Sequence, residues 1–110
     1  MDRKNTSHLV DFKDTAWTVI ATGARAKIYV HEKQRIRLVE FSEGFTEPDW
    51  CTNGHTGYVL DGAFSIDYDG HTEHYAKGDV LHIPKGEKDK HKAIISAGGR
   101  VQLLLVETIA

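Results

Sequence analysis

Cysteine is all but missing from this chain of 110 residues, where Cys51 stands alone. A single thiol excludes an intramolecular disulfide and suits a reducing setting, so a cytoplasmic location is expected. Proline occurs twice and methionine once, and neither an internal linker nor a low-complexity tract interrupts the chain. No apolar run approaches the ~20 residues of a membrane-spanning helix. The first eight residues, Met1 to His8, lack the apolar stretch of a signal peptide, so no membrane partner is expected. An excess of one charge is lacking too. Fourteen Lys and Arg face sixteen Asp and Glu, a formal net charge of −2. A nucleic-acid binder normally carries a basic excess, and no nucleic-acid partner is expected. Sustained apolar periodicity of 3.6 residues is also absent, which leaves no long amphipathic helix to build on.

What remains is an ordinary globular composition, 40% hydrophobic and 27% charged, with seven histidines as its one oddity. The length fits one domain. Residues 1–14 read as a polar N-terminal segment, loosely ordered, and 15–110 as a single domain. From Trp17 onward short β-like runs alternate with turn signals. Expected strands run Trp17–Ile20, Ala26–His31, Arg35–Phe41, Gly57–Tyr68 with a bend at Asp61-Gly62, His71–Ala76, Val80–Ile83, His91–Ser96 and Arg100–Thr108. Asp69-Gly70 marks a hairpin, because a primed two-residue loop needs residues that tolerate positive φ. In Arg35–Phe41 basic and apolar residues alternate at first, as in a half-buried strand. The regular spacing of short strands predicts an all-β sandwich or barrel.

Two segments carry a more specific pattern. Gly44 is followed by Asp49-Trp50-Cys51, then Thr52-Asn53-Gly54, then His55, with six residues more to Gly62. Gly78-Asp-Val-Leu-His-Ile-Pro-Lys-Gly86 holds Gly78, Pro84 and Gly86 in a second register. These resemble the two motifs of the cupins, G-x5-H-x-H followed by a glutamate and a glycine, and G-x5-P-x-G-x2-H. Tyr58-Val-Leu-Asp-Gly62 and Lys77-Gly-Asp79 also look cupin-like, and the resemblance extends over residues 36–107. It implies a single small jelly-roll β-barrel. Cupin sheets often pair, so it also implies a homodimer.

The resemblance places the metal-binding positions of the family on unusual residues. Its two first-motif histidines fall on Asp49 and Cys51, its glutamate on His55, and its second-motif histidine on Asp89, with His91 two positions on. Each replacement is itself a competent ligand type. In an extended strand residues two apart share a face, which would put Asp49 beside Cys51. The segment Glu87–Ala93 divides the same way: Lys88, Lys90 and Lys92 on one face, Glu87, Asp89 and His91 on the other. A lysine ladder belongs in solvent, so Asp89 and His91 are expected inside. The turn before His55 has two solutions. A two-residue Asn53-Gly54 turn would separate Cys51 from His55; a three-residue Thr52-Asn53-Gly54 loop with Gly54 left-handed would set them opposite each other. The spacing of the family resembles the second.

The expected site is therefore a divalent transition metal held by Cys51, His55, His91 and Asp49, with Asp49 as fourth ligand or general base. Asp89 is assigned to fixing an imidazole, and His82, Trp50 and Tyr58 to the cavity or its surroundings. Mixed sulfur, nitrogen and oxygen donors suit zinc or iron better than magnesium or calcium. Two functions fit, and fold alone does not choose between them. One is a metal-dependent enzyme of oxygenase, isomerase or lyase type acting on a small polar molecule. The other is a small-ligand binding or sensing module with no obligatory metal. A purely structural dimerisation domain would instead have a filled interior.

Overall fold

The computed structural model describes residues 8–109. The expectation for the extreme N-terminus, residues 1–7, lies outside the described residues. Eight strands follow in chain order: β1 (Thr18–Ala21), β2 (Ala24–His31), β3 (Gln34–Ser42), β4 (His55–Asp67), β5 (Thr72–Ala76), β6 (Val80–Ile83), β7 (Lys92–Ile94) and β8 (Arg100–Thr108). A 3-10 turn at Glu87–Asp89 is the one helical element among the described residues, and no helix there is long and apolar enough to cross a membrane. The expected strands are all present. The last but one is shorter than expected because Glu87–Asp89 coils and the chain turns again where Gly99 N–H bonds to Ser96 O.

All pairings are antiparallel and β4 organises them. Its first half lies between β8 and β6, in a sheet that continues through β3 and β2 to β1. Its second half lies between β5 and β7 in a second sheet. The two sheets form a jelly roll that does not close into a complete barrel. The handover falls at the bend expected near Asp61-Gly62, where the register against β8 shifts between Val59 and Asp61. The hairpin at Asp69-Gly70 is also present, with φ of 59° and 147° and Tyr68 N–H bonded to His71 O at 2.9 Å.

Alternation along the strands points one set of side chains between the sheets. Val101, Leu103 and Leu105 of β8 meet Val39 of β3, Val59 of β4, Phe64 and Ile66 further along β4, and Leu81 and Ile83 of β6. Burying each such side chain contributes about 1.5–3 kcal/mol. Charged residues share this inner face. Glu107 continues the Val101, Leu103, Leu105 series, and Arg35 and Arg37 continue Val39 and Phe41. In the alternating stretch of β3 the arginines thus face inward, while Ile36 and Leu38 lie on the outer side. The N-terminal segment is anchored across β2: Lys27 Nζ donates to Phe12 O at 2.6 Å, and Arg25 stacks over Trp17 with 4.2 Å to the ring centre.

Gly62 takes φ of 78°, and a Cβ there would overlap the Arg100 carbonyl oxygen of β8. Both strain and collision follow from any side chain. Gly62→Ala should lower stability by about 2 kcal/mol or more, read as a fall in the urea midpoint. An unchanged midpoint would show that β4 does not need this close approach to change sheets.

Candidate functional site

Two strand ends and one irregular segment build the site. His55 opens β4 with its side chain on the inner face, where Gly57 and Val59 follow. The β4–β8 register, Thr56 opposite Val106, sets His55 beside Glu107, and the β3–β8 register sets Arg35 opposite Glu107 on the other side. Arginine, glutamate and histidine thus form a row across three neighbouring strands. Cys51 and His91 come from elsewhere and are locked by a reciprocal main-chain bridge, Cys51 N–H to His91 O at 2.9 Å and His91 N–H to Cys51 O at 3.0 Å.

These connections bring three ligand types together. Cys51 Sγ lies 3.6 Å from His55 Nε2. One ligand atom from each of Cys51, His55 and His91 lies within 4.8 Å of the others. The two imidazoles meet edge to face, with ring centres 5.2 Å apart. His91 is only 4% exposed. Its Nδ1 is 3.0 Å from the Asp89 carbonyl oxygen; a carbonyl only accepts, so Nδ1 carries the proton and donates. Its Nε2 is then left buried with no hydrogen-bond partner. On His55, Nδ1 lies 2.5 Å from Glu107 Oε2, an ion-pair distance whose angle is not that of a regular hydrogen bond. The three residues line a partly open cavity of about 250 Å³ between the sheets, shared with Arg35, Arg37 and Phe41 among others.

The fold around this cavity has a recognisable sequence counterpart. The cupin domain matches residues 37–107. The chain belongs to the cupin family. No curated protein matches it by sequence, but solved structures share its fold. The polyketide cyclase RemF from Streptomyces resistomycificus superposes with a TM-score of 0.80 at 19% identity, over 93% of this chain and 79% of that one. KdgF from Halomonas sp. gives 0.72 at 21%, over 91% and 92%. A cupin sugar phosphate isomerase from Silicibacter pomeroyi gives 0.76 at 14%, over 93% and 76%. At these identities the likeness is one of fold.

Within the cupin frame, Cys51, His55 and His91 converge and the other expected site residues do not. Asp49 is exposed, because the chain bends at Pro48-Asp49 and the two-residue alternation with Cys51 is lost. It is no part of the ligand group. Asp89 serves His91 through its main-chain carbonyl, and its carboxylate lies outside the cavity; the segment is coiled at 87–89, so parity from Glu87 does not hold. Lys90 and Lys92 do share a side, both over the Trp50 ring at 5.4 and 4.7 Å. Trp50 therefore packs outside the cavity. His82 and Tyr58 are on the outer face of the sheet, where His82 Nδ1 meets Thr56 Oγ1 at 2.9 Å. Neither solution for the turn before His55 is realised. Gly54 is not left-handed, and Cys51 pairs with His91 while His55 pairs with Ile83. Gly54 is needed for proximity instead, since a Cβ would meet Lys85 N at 2.9 Å.

Glu107, Arg35 and Arg37 were not singled out as site residues. Their signal lay in parity: a glutamate in phase with Val101, Leu103 and Leu105 is a charge on a core face, and it needs partners. Arg37 supplies two, from Nε at 2.7 Å and a terminal nitrogen at 2.8 Å; Arg35 supplies Nε at 3.0 Å.

Electrostatics follow from these contacts. Burial raises the Glu107 carboxyl, but His55, Arg37 and Arg35 outweigh it and hold the group down at about 2. Burial likewise opposes charging His55, yet Cys51 and Glu107 raise it to about 9. The His55 and His91 contacts lower the Cys51 thiol to about 6. Thiolate character is what a metal ligand requires.

Because Glu107 is depressed in the fold, its contribution to stability is present above the ordinary carboxylate pKa near 4.5 and is lost as pH falls toward 2. Urea unfolding of chelator-treated protein should show a loss on the order of 3 kcal/mol over that range. Glu107→Gln should be less stable at pH 7 and flatter in acid. Equal acid slopes in both proteins would place the titrating group elsewhere.

Proposed function

We propose that this cupin holds a transition metal at Cys51, His55 and His91 and acts there on a small polar molecule. The observation that carries the reading is the convergence of those three ligand atoms within 4.8 Å in a cavity. The donor set fits a metal in detail. With a Zn–S length of ~2.3 Å and Zn–N of ~2.0–2.1 Å, tetrahedral ligation separates sulfur from nitrogen by ~3.6 Å. Cys51 Sγ and His55 Nε2 stand at 3.6 Å. His91 presents a buried, unpartnered Nε2 whose tautomer is set by the Asp89 carbonyl. Glu107 orients His55 in the way that carboxylates orient ligating histidines. Imidazole and thiolate donors favour zinc or iron over magnesium or calcium.

A metal so held supplies Lewis acidity, polarising a bound oxygen or lowering the pKa of coordinated water. The residues of the chain do the rest. Cys51 and Glu107 offset positive charge, and His55 and His91 fix the geometry. Three protein ligands leave room for a substrate, and the open cavity argues against a purely structural domain. The polyketide cyclase and sugar phosphate isomerase among the fold relatives support a small-molecule role. The lone Cys51 supports a cytoplasmic setting.

Elemental analysis of protein purified without a metal-affinity tag should find close to one equivalent of transition metal. Cys51→Ala and His91→Ala should each lose most of it while keeping the β-type circular dichroism, and added metal should shield Cys51 of the parent from alkylation. No metal in the parent, or equal metal in both variants, would overturn the proposal.

The homodimer expectation has a surface to use. The outer face of the first sheet exposes Tyr29, Tyr58, Val80 and Val106 at 41%, 44%, 68% and 40%. Isolated apolar residues are common on monomers, but a contiguous set across strands marks an interaction face. Sedimentation should find a dimer that Tyr58→Glu weakens at least tenfold; a monomer at high concentration would refute it.

A further inference from the structure

The Arg35–Glu107–Arg37 group does more than balance a buried charge. Glu107 accepts from Nε of Arg35 and from Nε and one terminal nitrogen of Arg37. Both terminal nitrogens of Arg35 and the second of Arg37 have no partner among the described residues. Yet both side chains line the cavity and are largely covered, 29% exposed for Arg35 and 18% for Arg37. Two guanidinium charges facing one carboxylate leave a local excess of one positive charge. Asn53 adds an amide to the same wall. Glu47, the carboxylate that lines the cavity itself, is on the segment beside β7 in the second sheet and accepts from Ala93 N–H at 2.9 Å. It is thus tied away from β3, where the arginines lie.

The remainder of the cavity is apolar and aromatic. Phe41 and Phe45 stack with ring centres 4.5 Å apart and an interplanar angle of 15°, and Phe64 lies on the same lining. A volume of about 250 Å³ falls just under the usual span for drug-sized ligands, roughly 300–1,000 Å³. Given that this cavity is where a small molecule binds, as proposed above, we infer that its ligand is a small monocarboxylate. Its planar carboxylate meets the free terminal nitrogens of Arg35 and Arg37, and its apolar or aromatic body lies against Phe41 and Phe45. A planar guanidinium matches the two oxygens of a carboxylate, and an excess of one charge matches a monoanion better than a phosphate dianion.

Phenylacetate, phenylacetamide and phenyl phosphate probe this directly, by ligand-observed NMR titration of the whole protein in excess chelator. Under those conditions no metal contributes, so the result is independent of the metal proposal, which metal analysis decides separately. Phenylacetate should bind at least tenfold more tightly than its neutral amide and more tightly than phenyl phosphate. Arg35→Gln leaves Glu107 held by Arg37 and His55. It should cost phenylacetate at least tenfold in affinity and leave phenylacetamide unchanged. Equal binding of acid and amide, tighter binding of the phosphate, or an unchanged acid affinity in a folded Arg35→Gln protein would each overturn the inference. Should that variant not fold, the three-probe comparison on the unaltered protein decides alone.

Discussion

A carboxylate on the core face of a strand is the constraint from which the site follows. Glu107 is 4% exposed and in phase with three aliphatic residues of β8. Such a charge is costly to bury unless it is paired and hydrogen-bonded. Its two strand neighbours supply the pairing. From β3 come Arg35 and Arg37, which must turn inward although the apolar Ile36 and Leu38 alternate with them. From β4 comes His55. The same carboxylate thereby fixes the His55 imidazole and brings two guanidinium groups to the cavity wall. Removing it would leave two arginines facing the interior without their anion.

The second constraint is backbone. Cys51 is in no regular strand, and its place is set by two main-chain bonds to His91. Gly86 N–H, bonded to Thr52 O at 2.9 Å, pins the next residue. Main-chain groups position the candidate ligands here, so the turn residues matter as much as those side chains. The glycines and Pro84 thus fit the cupin frame in a chain whose ligand-type residues differ from those of the family pattern. The turns keep the segments in register, and three donors, Cys51, His55 and His91, converge within that frame.

Most of the fold was legible in the sequence because turn chemistry and strand alternation are local. Asp69-Gly70, the bend at Gly62, and the limits of β6 and β8 all rest on a few adjacent residues. The site was legible only where local periodicity survives. His91 could be read as inward because Lys90 and Lys92 flank it in an extended stretch. Asp49 could not be placed, since Pro48-Asp49 bends the chain and ends the alternation that would have paired it with Cys51. Asp89 failed for a related reason: one turn of 3-10 helix puts its carbonyl, and not its carboxylate, on His91. Glu107 and its arginines carried a signal in their phase. Reading it required knowing which face of β3 was inside, and alternation alone does not distinguish a strand with arginines out from one with arginines in.

A thiolate where the family pattern has an imidazole would change the charge of a metal centre at Cys51, His55 and His91. On the proposed centre, a divalent cation with Cys51 as thiolate and neutral histidines would leave one positive charge. Arg35 and Arg37 against Glu107 leave a separate local excess on the β3 side that needs no metal. Glu47 reaches the cavity from the segment beside β7, where Ala93 N–H holds it. With Arg37 only 18% exposed that imbalance is felt more than in bulk water, because Coulomb interactions grow as the effective dielectric falls. The unpaired donors of Arg35 and Arg37 face the cavity from β3, two strands from His55, so a negative charge would have a definite place to sit. The hydroxyls of a neutral sugar would accept from those N–H groups but would leave the charge unmatched.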